Sequence, residues 1–410
     1  MFILKVYFYK MLMTGLKLAI KLIPQPQPII FSGKHCSLEL AQLMVNQQFK
    51  RVLLVTDNVL NQLGIADEIC QLFQQQNIEV IIFDGVTPDP SEAIVDNGIR
   101  LAKQNNCDVV LGIGGGSSLD AAKMIAVLAT TNKSVKQVTG LLKIRRSGLP
   151  LFLLPTTSGT GSEVTMAAVI TDSINQSKSL VISPKMMPLA TALDPILMRG
   201  MPAKITAETG FDALTHAIEA YLSTHANEQT DLYALTAIKL IFKQLPIAYQ
   251  PGDNLDARHS LALASCYAGL AFTKAGLGYV HAISHQIGAK YHLPHGMTNA
   301  VILPYVLSFT ASVSEHRLAT LAREIGLETS GLNNSQMTTL FIQAVKSLQQ
   351  EVAIASTLPG LVAEDIHQLA KAALKEAHYL YPVPKYLNLS QCKKLISELM
   401  PLTSSQQGTI

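Results

Sequence analysis

DVVLGIGGGSSLDAAK, residues 108–123, joins an apolar strand to a helix through three consecutive glycines and two serines. Without a Cβ atom at Gly114, Gly115 and Gly116, a pyrophosphate can approach the main chain, and the start of the next helix offers free N–H groups. The third glycine position of GxGxxG is occupied by Ser117, so the stretch departs from the standard dinucleotide fingerprint. The pattern indicates a nucleotide-binding turn, with a tight structural turn as the alternative.

Similar apolar strands surround this stretch: RVLLVTD (51–57), IEVIIFDGV (78–86) and LPLFLLPTT (149–157). Helical patterns lie between them, which predicts a parallel sheet covered on both faces. After Met201 and Pro202, apolar residues recur at helical spacing without convincing strands. We therefore predict an arm over residues 1–27, an α/β domain over 28–202 and an all-helical domain over 203–410.

The composition excludes several classes of protein. Net charge is +3, and Lys and Arg are scattered, so no basic patch for nucleic acid is present. Hydrophobic residues make up 48% and charged residues 15%, which favours an oligomer that hides part of this apolar surface. The five cysteines form no CxxC pair, which argues against a disulfide framework or zinc ribbon and favours a reducing cytoplasm.

The first 24 residues are apolar, but lysines at positions 5, 10, 17 and 21 interrupt every apolar run. We expect neither a transmembrane helix nor a signal peptide here. The segment is interpreted as an N-terminal arm or as the product of an upstream start codon, with weak membrane contact as the alternative.

Two further polar positions follow buried strands. Asp57 ends VLLVTD, where a carboxylate could bind both hydroxyls of an adenosine ribose and favour NAD over NADP, or could instead cap the next helix. The turn PTTSGTGSE (155–163) could hold ribose, phosphate or amide edges, or could be a plain turn.

A carboxylate and several imidazoles form a candidate metal site in the second half. Asp212 and His216 are four residues apart in a helical pattern and share one face. Four of the eleven histidines follow within fifteen residues: His281, His285, His292 and His295. Such ligands suit Fe(II) or Zn(II) at an open site, although any one histidine could be a core or surface residue. Glu219 could orient a ligand, but a solvated helix face is the favoured interpretation.

Six ordered motifs together resemble one family: GGGSSLD, PTTSGTGSE, ALDPILMRGMP, TGFDALTHAIEAY, GLGYVHAISHQIGAKYHLPHG and NAVILP. They are similar to those of the iron-containing (group III) alcohol dehydrogenases, which include lactaldehyde reductases, from about Pro28 to near the C-terminus. The resemblance implies a Rossmann-like, NAD-binding α/β domain and an all-α domain for metal and substrate, as in dehydroquinate synthase, with the active site in the cleft between them.

The resemblance also implies individual residue roles. It makes His285 a catalytic residue near the nicotinamide ribose, and Phe272 and His378 part of the substrate wall. The implied metal ligands are Asp212, His216, His281 and His295. The implied cofactor-binding residues are Asp57, Asp89, Gly115, Gly116, Ser117, Ser118, Asp120, Thr156, Thr157, Thr160 and Lys178.

Two segments depart from the family pattern. ALKEAHYLYPVPKYL carries His378, Tyr381 and Pro384 where many members have a small residue or thiol followed by Asn-Pro-Arg, so the substrate wall is altered. The arm before Pro24 has no counterpart.

The expected function is a metal-dependent, NAD-linked alcohol dehydrogenase or aldehyde reductase that acts on small alcohols or aldehydes by direct hydride transfer. Fe(II) is the expected metal, with Zn(II) possible. We further expect a cytoplasmic homodimer without stable membrane insertion. The alternatives are a hydroxyacid-oxoacid transhydrogenase, a maleylacetate reductase, or a catalytically silent nucleotide-binding protein.

Overall fold

The computed structural model describes residues 2–21, 23–24, 26–172, 177–250 and 254–401. They form two compact units. The α/β unit falls within residues 23–201 and 252–269, and the helical unit within residues 1–22, 202–251 and 270–410. Helix α10 (Leu255–Ala275) contributes residues to both units.

The α/β unit contains all the strands that the structure describes. Six form a parallel sheet in the order β1-β9-β6-β4-β2-β3, and three form a smaller sheet in the order β5-β8-β7. The predicted parallel sheet is therefore confirmed. The strands are β1 (Ile29–Ser32), β2 (Arg51–Asp57), β3 (Glu79–Val86), β4 (Val109–Gly114), β5 (Gly140–Leu141), β6 (Leu151–Pro155), β7 (Ala167–Asp172), β8 (Ser177–Ile182) and β9 (Ala190–Leu193).

The alternating side chains of β2 explain why residues 52–55 are all apolar. Leu53 and Val55 pack into one hydrophobic cluster with α6, whereas Val52 and Leu54 pack into a second cluster with α2 and α4. Both faces of the sheet are therefore covered. The helices of this unit are α2 (Cys36–Asn46), α3 (Asn58–Gln62), α4 (Asp67–Gln75), α5 (Glu92–Gln104), α6 (Gly116–Leu128), α7 (Val135–Val138) and the first part of α10.

In the second unit, all the described secondary-structure elements are helices, as predicted for the C-terminal half. Helix α8 packs against α9 and α12, and α11 packs against α12 and α14. The N-terminal segment forms helix α1, which belongs to this unit and contacts α14. The helices are α1 (Phe2–Lys21), α8 (Ala203–Leu222), α9 (Glu228–Tyr249), the end of α10, α11 (Tyr279–Tyr291), α12 (His295–Glu324), α13 (Asn334–Glu351), α14 (Ile366–Leu380) and α15 (Leu389–Glu398).

Among the described residues, α12 is long and apolar enough to cross a membrane, and α10 with α11 would qualify together as one broken span. In α12, 56% of the apolar window is buried inside the structure. Core helices of soluble proteins share this length and composition, so these helices are weak evidence for a membrane span.

Helix α6 approaches the sheet closely at Gly112 in β4. A Cβ atom at Gly112 would lie 2.7 Å from the Cβ atom of Ala122 and 2.8 Å from Cδ2 of Leu153. The missing side chain therefore lets α6 start directly above the end of β4, where the glycine turn lies.

We predict that Gly112→Ala lowers the free energy of unfolding by about 1–3 kcal/mol, because the added methyl group overpacks this contact. Urea unfolding monitored by circular dichroism measures the change. Gly15→Ala is the matched control, since no atom lies within 4 Å of its added Cβ atom and alanine favours a helix. Equal unfolding midpoints for both variants would contradict the packing argument.

Candidate active site

The four predicted metal ligands lie together in the helical unit. Asp212 and His216 project from successive turns of α8, and His281 lies in the first turn of α11. His295 is the first residue of α12 and follows Pro294. Asp212 Oδ1 is 3.7 Å from His281 Nε2 and 3.5 Å from His295 Nε2. The ligand atoms of Asp212, His216 and His281 all lie within 4.8 Å of one another, and these three side chains are buried.

Another histidine of the sequence cluster, His292, has different surroundings. It is exposed, and it ends α11 in the left-handed conformation with φ 54°. This turn of the chain allows α12 to begin three residues later, which brings His295 back to the ligand cluster. The Nδ1 atom of His295 lies 3.3 Å from the Ser284 hydroxyl, which limits rotation of the ring.

Burial and charge together set the protonation of the cluster. Burial alone would raise the pKa of Asp212, but His216, His295 and His281 hold it well below its usual range. Burial lowers the pKa of His295 well below its usual value, and the neighbouring histidines lower it further. The arrangement favours an ionised carboxylate beside a neutral imidazole, and both forms can donate electron pairs to a cation.

Glu219 is buried against the ligand cluster, so the interpretation of a solvated helix face is wrong. Its carboxylate accepts hydrogen bonds from the N–H groups of Gly278 (2.8 Å) and Val280 (2.7 Å). It also contacts His281 Nδ1 at 2.6 Å. Burial would lower the pKa of His281, but Glu219 and Asp212 raise it to about 9. With Nδ1 held by Glu219, the Nε2 atom of His281 faces Asp212, as a metal ligand requires.

Asn299 lies at the centre of the cluster, a position to which no role was assigned from the sequence. Its Nδ2 atom is 2.7 Å from Asp212 Oδ1, 3.2 Å from His281 Nε2 and 3.1 Å from His295 Nε2. Its buried Oδ1 atom has no hydrogen-bond partner among the described residues. Electron-pair donors thus converge on one point, and a carboxylate with three imidazoles fits Fe(II) or Zn(II).

His285 belongs to a second hydrogen-bonded group one turn along α11. Its Nδ1 atom contacts Glu376 Oε1 at 2.6 Å. Gln286 and the Tyr381 hydroxyl also donate to this carboxylate, at 2.8 and 2.6 Å. Burial would raise the pKa of Glu376, but these contacts, led by His285, lower it. The His285 ring stacks on His295 with 5.3 Å between ring centroids, so this group adjoins the ligand cluster.

The two predicted substrate residues have different surroundings. Phe272 stacks on the predicted ligand His216, with 4.3 Å between ring centroids. His378 is buried, and its Nε2 atom is 2.9 Å from the Tyr279 hydroxyl while its ring contacts Tyr9 of α1 at 4.7 Å. Burial lowers the pKa of His378 to about 4, so the side chain is neutral. Substrate contact by either residue stays a prediction.

The predicted cofactor-binding residues lie in the α/β unit, where the two polar turns touch. Thr156 N donates to Gly114 O at 3.0 Å, and a Cβ atom at Gly116 would lie 2.6 Å from Cγ2 of Thr160. A Cβ atom at Gly115 would lie 3.4 Å from Thr157. Among the described residues no side chain caps the start of α6, so its first N–H groups point to this turn.

Other members of the predicted cofactor set make internal contacts. Lys178 pairs with Asp89, whose N–H group lies 3.3 Å from the Ser117 hydroxyl, so these three residues form one group. Asp120 accepts hydrogen bonds from the Ser162 hydroxyl and from Val169 N, at 2.6 and 2.8 Å.

Two more of these residues occupy structural positions beside the turn. Ser118 is buried in the first turn of α6. Asp57 caps α3 by accepting from Leu60 N at 3.0 Å, which was the alternative to ribose binding. The nucleotide roles of all these residues stay predictions.

Lys123 links the two polar turns, although sequence reasoning did not single it out. The side chain is fully buried in α6 and donates to the Ser162 hydroxyl (2.8 Å), the Thr165 hydroxyl (3.0 Å) and Ala167 O (2.8 Å). Burial lowers the pKa of this amine. The lysine at the end of GGGSSLDAAK was the only sequence signal.

Two family models match the chain in order. The model for iron-containing alcohol dehydrogenase matches residues 26–195, and the model for the C-terminal part of the Fe-containing alcohol dehydrogenase family matches residues 206–400. The chain belongs to the iron-containing alcohol dehydrogenase family. Its membership confirms the family predicted from six motifs and the oxidoreductase activity on CH–OH groups.

The similarity to individual relatives covers most of the chain. The NAD-dependent methanol dehydrogenase of Bacillus methanolicus is 39% identical over 80% of this chain and 86% of its own length. A 1,3-propanediol dehydrogenase of Klebsiella pneumoniae is 38% identical over 86% of this chain and 90% of its own length. The crystal structure of a 1,3-propanediol oxidoreductase superposes with a TM-score of 0.89 at 35% identity, covering 92% of this chain and all of that chain.

These findings confirm the predicted fold class, an α/β domain followed by a helical domain. At the level of the family, they also confirm iron and NAD as the cofactors. The assignment of individual residues to these cofactors, the domain boundaries and the position of the active site between the domains stay predictions.

We predict that Glu219→Gln weakens metal binding by about 10- to 100-fold, because a neutral amide no longer orients and polarises His281 through Nδ1. Titration of metal-stripped protein with Fe(II) or Zn(II) measures the affinity. Glu228→Gln on α9, an exposed glutamate, is the matched control. Unchanged affinity in Glu219→Gln would show that this hydrogen bond does not tune the site.

Proposed function

We propose that this alcohol dehydrogenase interconverts small alcohols and aldehydes by direct hydride transfer, with NAD as the cofactor and iron held by Asp212, His216, His281 and His295. The observation that carries the proposal is that the ligand atoms of buried Asp212, His216 and His281 lie within 4.8 Å of one another, with His295 Nε2 3.5 Å from Asp212 Oδ1. A carboxylate and imidazoles buried together would destabilise the fold unless a cation or a hydrogen-bond network compensated their burial. The family membership makes a cation the better explanation.

The bound metal supplies a Lewis acid that stabilises negative charge on the substrate oxygen. The chain's own residues prepare this position. Glu219 fixes the orientation of His281, and the negative charge of Asp212 balances part of the charge of the ion. Phe272 covers His216 and excludes water from one side of the ligand cluster. The protein therefore orients the ligands before any substrate binds.

His285 is the proposed proton carrier. Its Nδ1 atom contacts Glu376, which leaves Nε2 to exchange a proton with the cofactor ribose or with solvent. Gln286 and Tyr381 fix the Glu376 carboxylate, so the imidazole has one preferred orientation. The side chain is partly exposed, as proton exchange with solvent requires.

The glycine turn is the proposed site for the cofactor pyrophosphate. Its main chain lacks Cβ atoms at three successive positions, and α6 offers uncapped N–H groups there. Thr157 and Thr160 line the opposite side of this turn. Asp57 is the proposed ribose ligand, because a carboxylate at this position accepts both ribose hydroxyls and repels a 2′-phosphate.

We infer small alcohols, diols or the matching aldehydes as substrates, since similar proteins are named for methanol and 1,3-propanediol. Assays of metal-stripped protein, reloaded with defined ions and tested on a panel of short substrates, identify the active metal and the preferred substrate. The four assembled ligands argue against a metal-free maleylacetate reductase. We also infer a reducing compartment, because all five cysteines are free. The apolar composition supports a homodimer. Sedimentation velocity measures the oligomeric state.

His281→Ala should abolish both metal retention and turnover, because it removes a ligand and leaves Glu219 without its imidazole partner. Elemental analysis of purified protein, with NADH formation from an alcohol panel, measures both losses. His316→Ala, which removes an exposed histidine from α12, should change neither. Full activity of His281→Ala without bound metal would refute the ligand assignment.

Two substitutions separate the proposed cofactor role of Asp57 from its capping role. Asp57→Asn keeps an oxygen that can cap α3 but removes the charge, whereas Asp57→Gly removes both. Both variants should reduce the ratio of kcat/KM for NAD to that for NADP by about 10- to 100-fold, since hydrogen bonds to a charged group contribute about 1.5–3 kcal/mol. A ratio unchanged in Asp57→Asn would leave the residue with the capping role alone.

A further inference from the structure

Helix α1 is anchored to the helical unit by one of its faces. Tyr9 and Met13 are buried, and the Tyr9 ring contacts the rings of His378 and Tyr386 at 4.7 and 5.7 Å. The carbonyl of Met13 lies 3.0 Å from His225 Nε2, and Lys17 Nζ donates to Thr224 O at 3.1 Å. This face is therefore fixed by packing and by hydrogen bonds.

The opposite face of α1 is apolar and faces solvent. Positions 4, 7, 11 and 18 recur at helical spacing, and positions 3 and 8 flank them, so the side chains form one continuous stripe. The outer stripe consists of Ile3 (71% exposed), Leu4 (74%), Tyr7 (68%), Phe8 (49%), Met11 (68%) and Leu18 (60%). Single exposed apolar residues are ordinary, but a continuous stripe of six marks an interaction surface.

Positive charge accompanies the outer stripe. Residues 1–21 contain four lysines and no acidic residue. The side chains of Lys5 and Lys10 are exposed. On the neighbouring helix α14, exposed Lys371 and Lys375 share a stripe with Tyr379, whose ring contacts Tyr9 at 5.4 Å. The partner of the outer stripe must therefore accept both apolar and cationic side chains.

We propose that α1 binds the surface of an anionic lipid bilayer, with the outer stripe inserted at the level of the headgroups and Lys5 and Lys10 against lipid phosphates and carboxylates. Amphipathic helices with lysines beside Phe, Tyr and Leu bind membranes in this way. Lysines near such a surface are attracted by its negative charge. The charge pattern selects this partner over a second copy of α1, since pairing two copies would bring the exposed Lys5 and Lys10 of each copy together.

The same observations determine the geometry of binding. The face of α1 that packs on the helical unit carries Tyr9 and Met13, and lysines recur along the helix. The helix therefore lies in the plane of the membrane interface and does not cross the bilayer. The dehydrogenase would then work at a membrane surface.

Flotation of the full-length, metal-loaded protein tests the proposal. The probes are vesicles of phosphatidylcholine with 30% phosphatidylserine, and vesicles of phosphatidylcholine alone. Tyr7→Ser/Met11→Ser removes part of the outer stripe, and Lys5→Glu/Lys10→Glu reverses two charges. Matched controls carry the same changes elsewhere on the surface: Leu232→Ser/Val313→Ser and Lys133→Glu/Lys136→Glu.

We expect the protein to float with anionic vesicles, at least tenfold less with neutral ones, and at least tenfold less after either change in α1. Both controls should float as the unchanged protein does, and all four variants should keep its turnover. Absence of flotation with anionic vesicles would overturn the proposal, as would equal flotation of Tyr7→Ser/Met11→Ser. If a second copy covers the outer stripe, the Tyr7→Ser/Met11→Ser variant should dissociate in sedimentation velocity, and the protein should not bind vesicles. This result would also overturn the proposal.

Discussion

The hydrogen bonds of Glu219 are the constraint on which the proposed metal site depends. One buried carboxylate from α8 holds two N–H groups at the start of α11 together with Nδ1 of His281. It therefore fixes the helix that carries His281 relative to the helix that carries Asp212 and His216. Because every oxygen of Glu219 is engaged by protein donors, its charge remains buried beside the ligands and favours a cation there.

The two units use different chemistry for their proposed tasks. In the helical unit, side chains on three helices provide electron pairs, and packed rings fix their directions. In the α/β unit, the proposed pyrophosphate site consists of main-chain N–H groups, so the turn needs small residues and side chains that support it. Lys123 supplies this support by joining α6 to the second polar turn through three hydrogen bonds. These bonds hold the second polar turn against α6, and the buried amine also lies 3.6 Å from Asp120 Oδ1 of the same helix.

Local patterns in the sequence predicted the parallel sheet, the change to helices near residue 202 and the pair of Asp212 and His216, because strand and helix periodicity and i, i+4 spacing are local properties. The choice of His281 and His295 among the four clustered histidines came from the resemblance to the family. Contacts between residues distant in sequence were not predictable in this way: Glu219 was considered as the orienter of a ligand only as the less favoured alternative, and Glu376 was not singled out. Glu219 contacts His281 across 62 residues, and Glu376 contacts His285 across 91. Each was an ordinary glutamate on a helical pattern, and only tertiary packing shows its burial. Likewise, the lysines of the N-terminal segment were visible, whereas the division of α1 into an anchored face and an exposed face required the structure.

Anomalous diffraction from a crystal of the iron-loaded protein, recorded on both sides of the iron absorption edge, tests whether these four side chains hold the iron. We expect a single strong peak about 2.0–2.2 Å from Asp212, His216, His281 and His295, with Glu219 still bound to Nδ1 of His281. A peak at other residues, or side chains of these four that turn away from a common point in the iron-loaded protein, would contradict it.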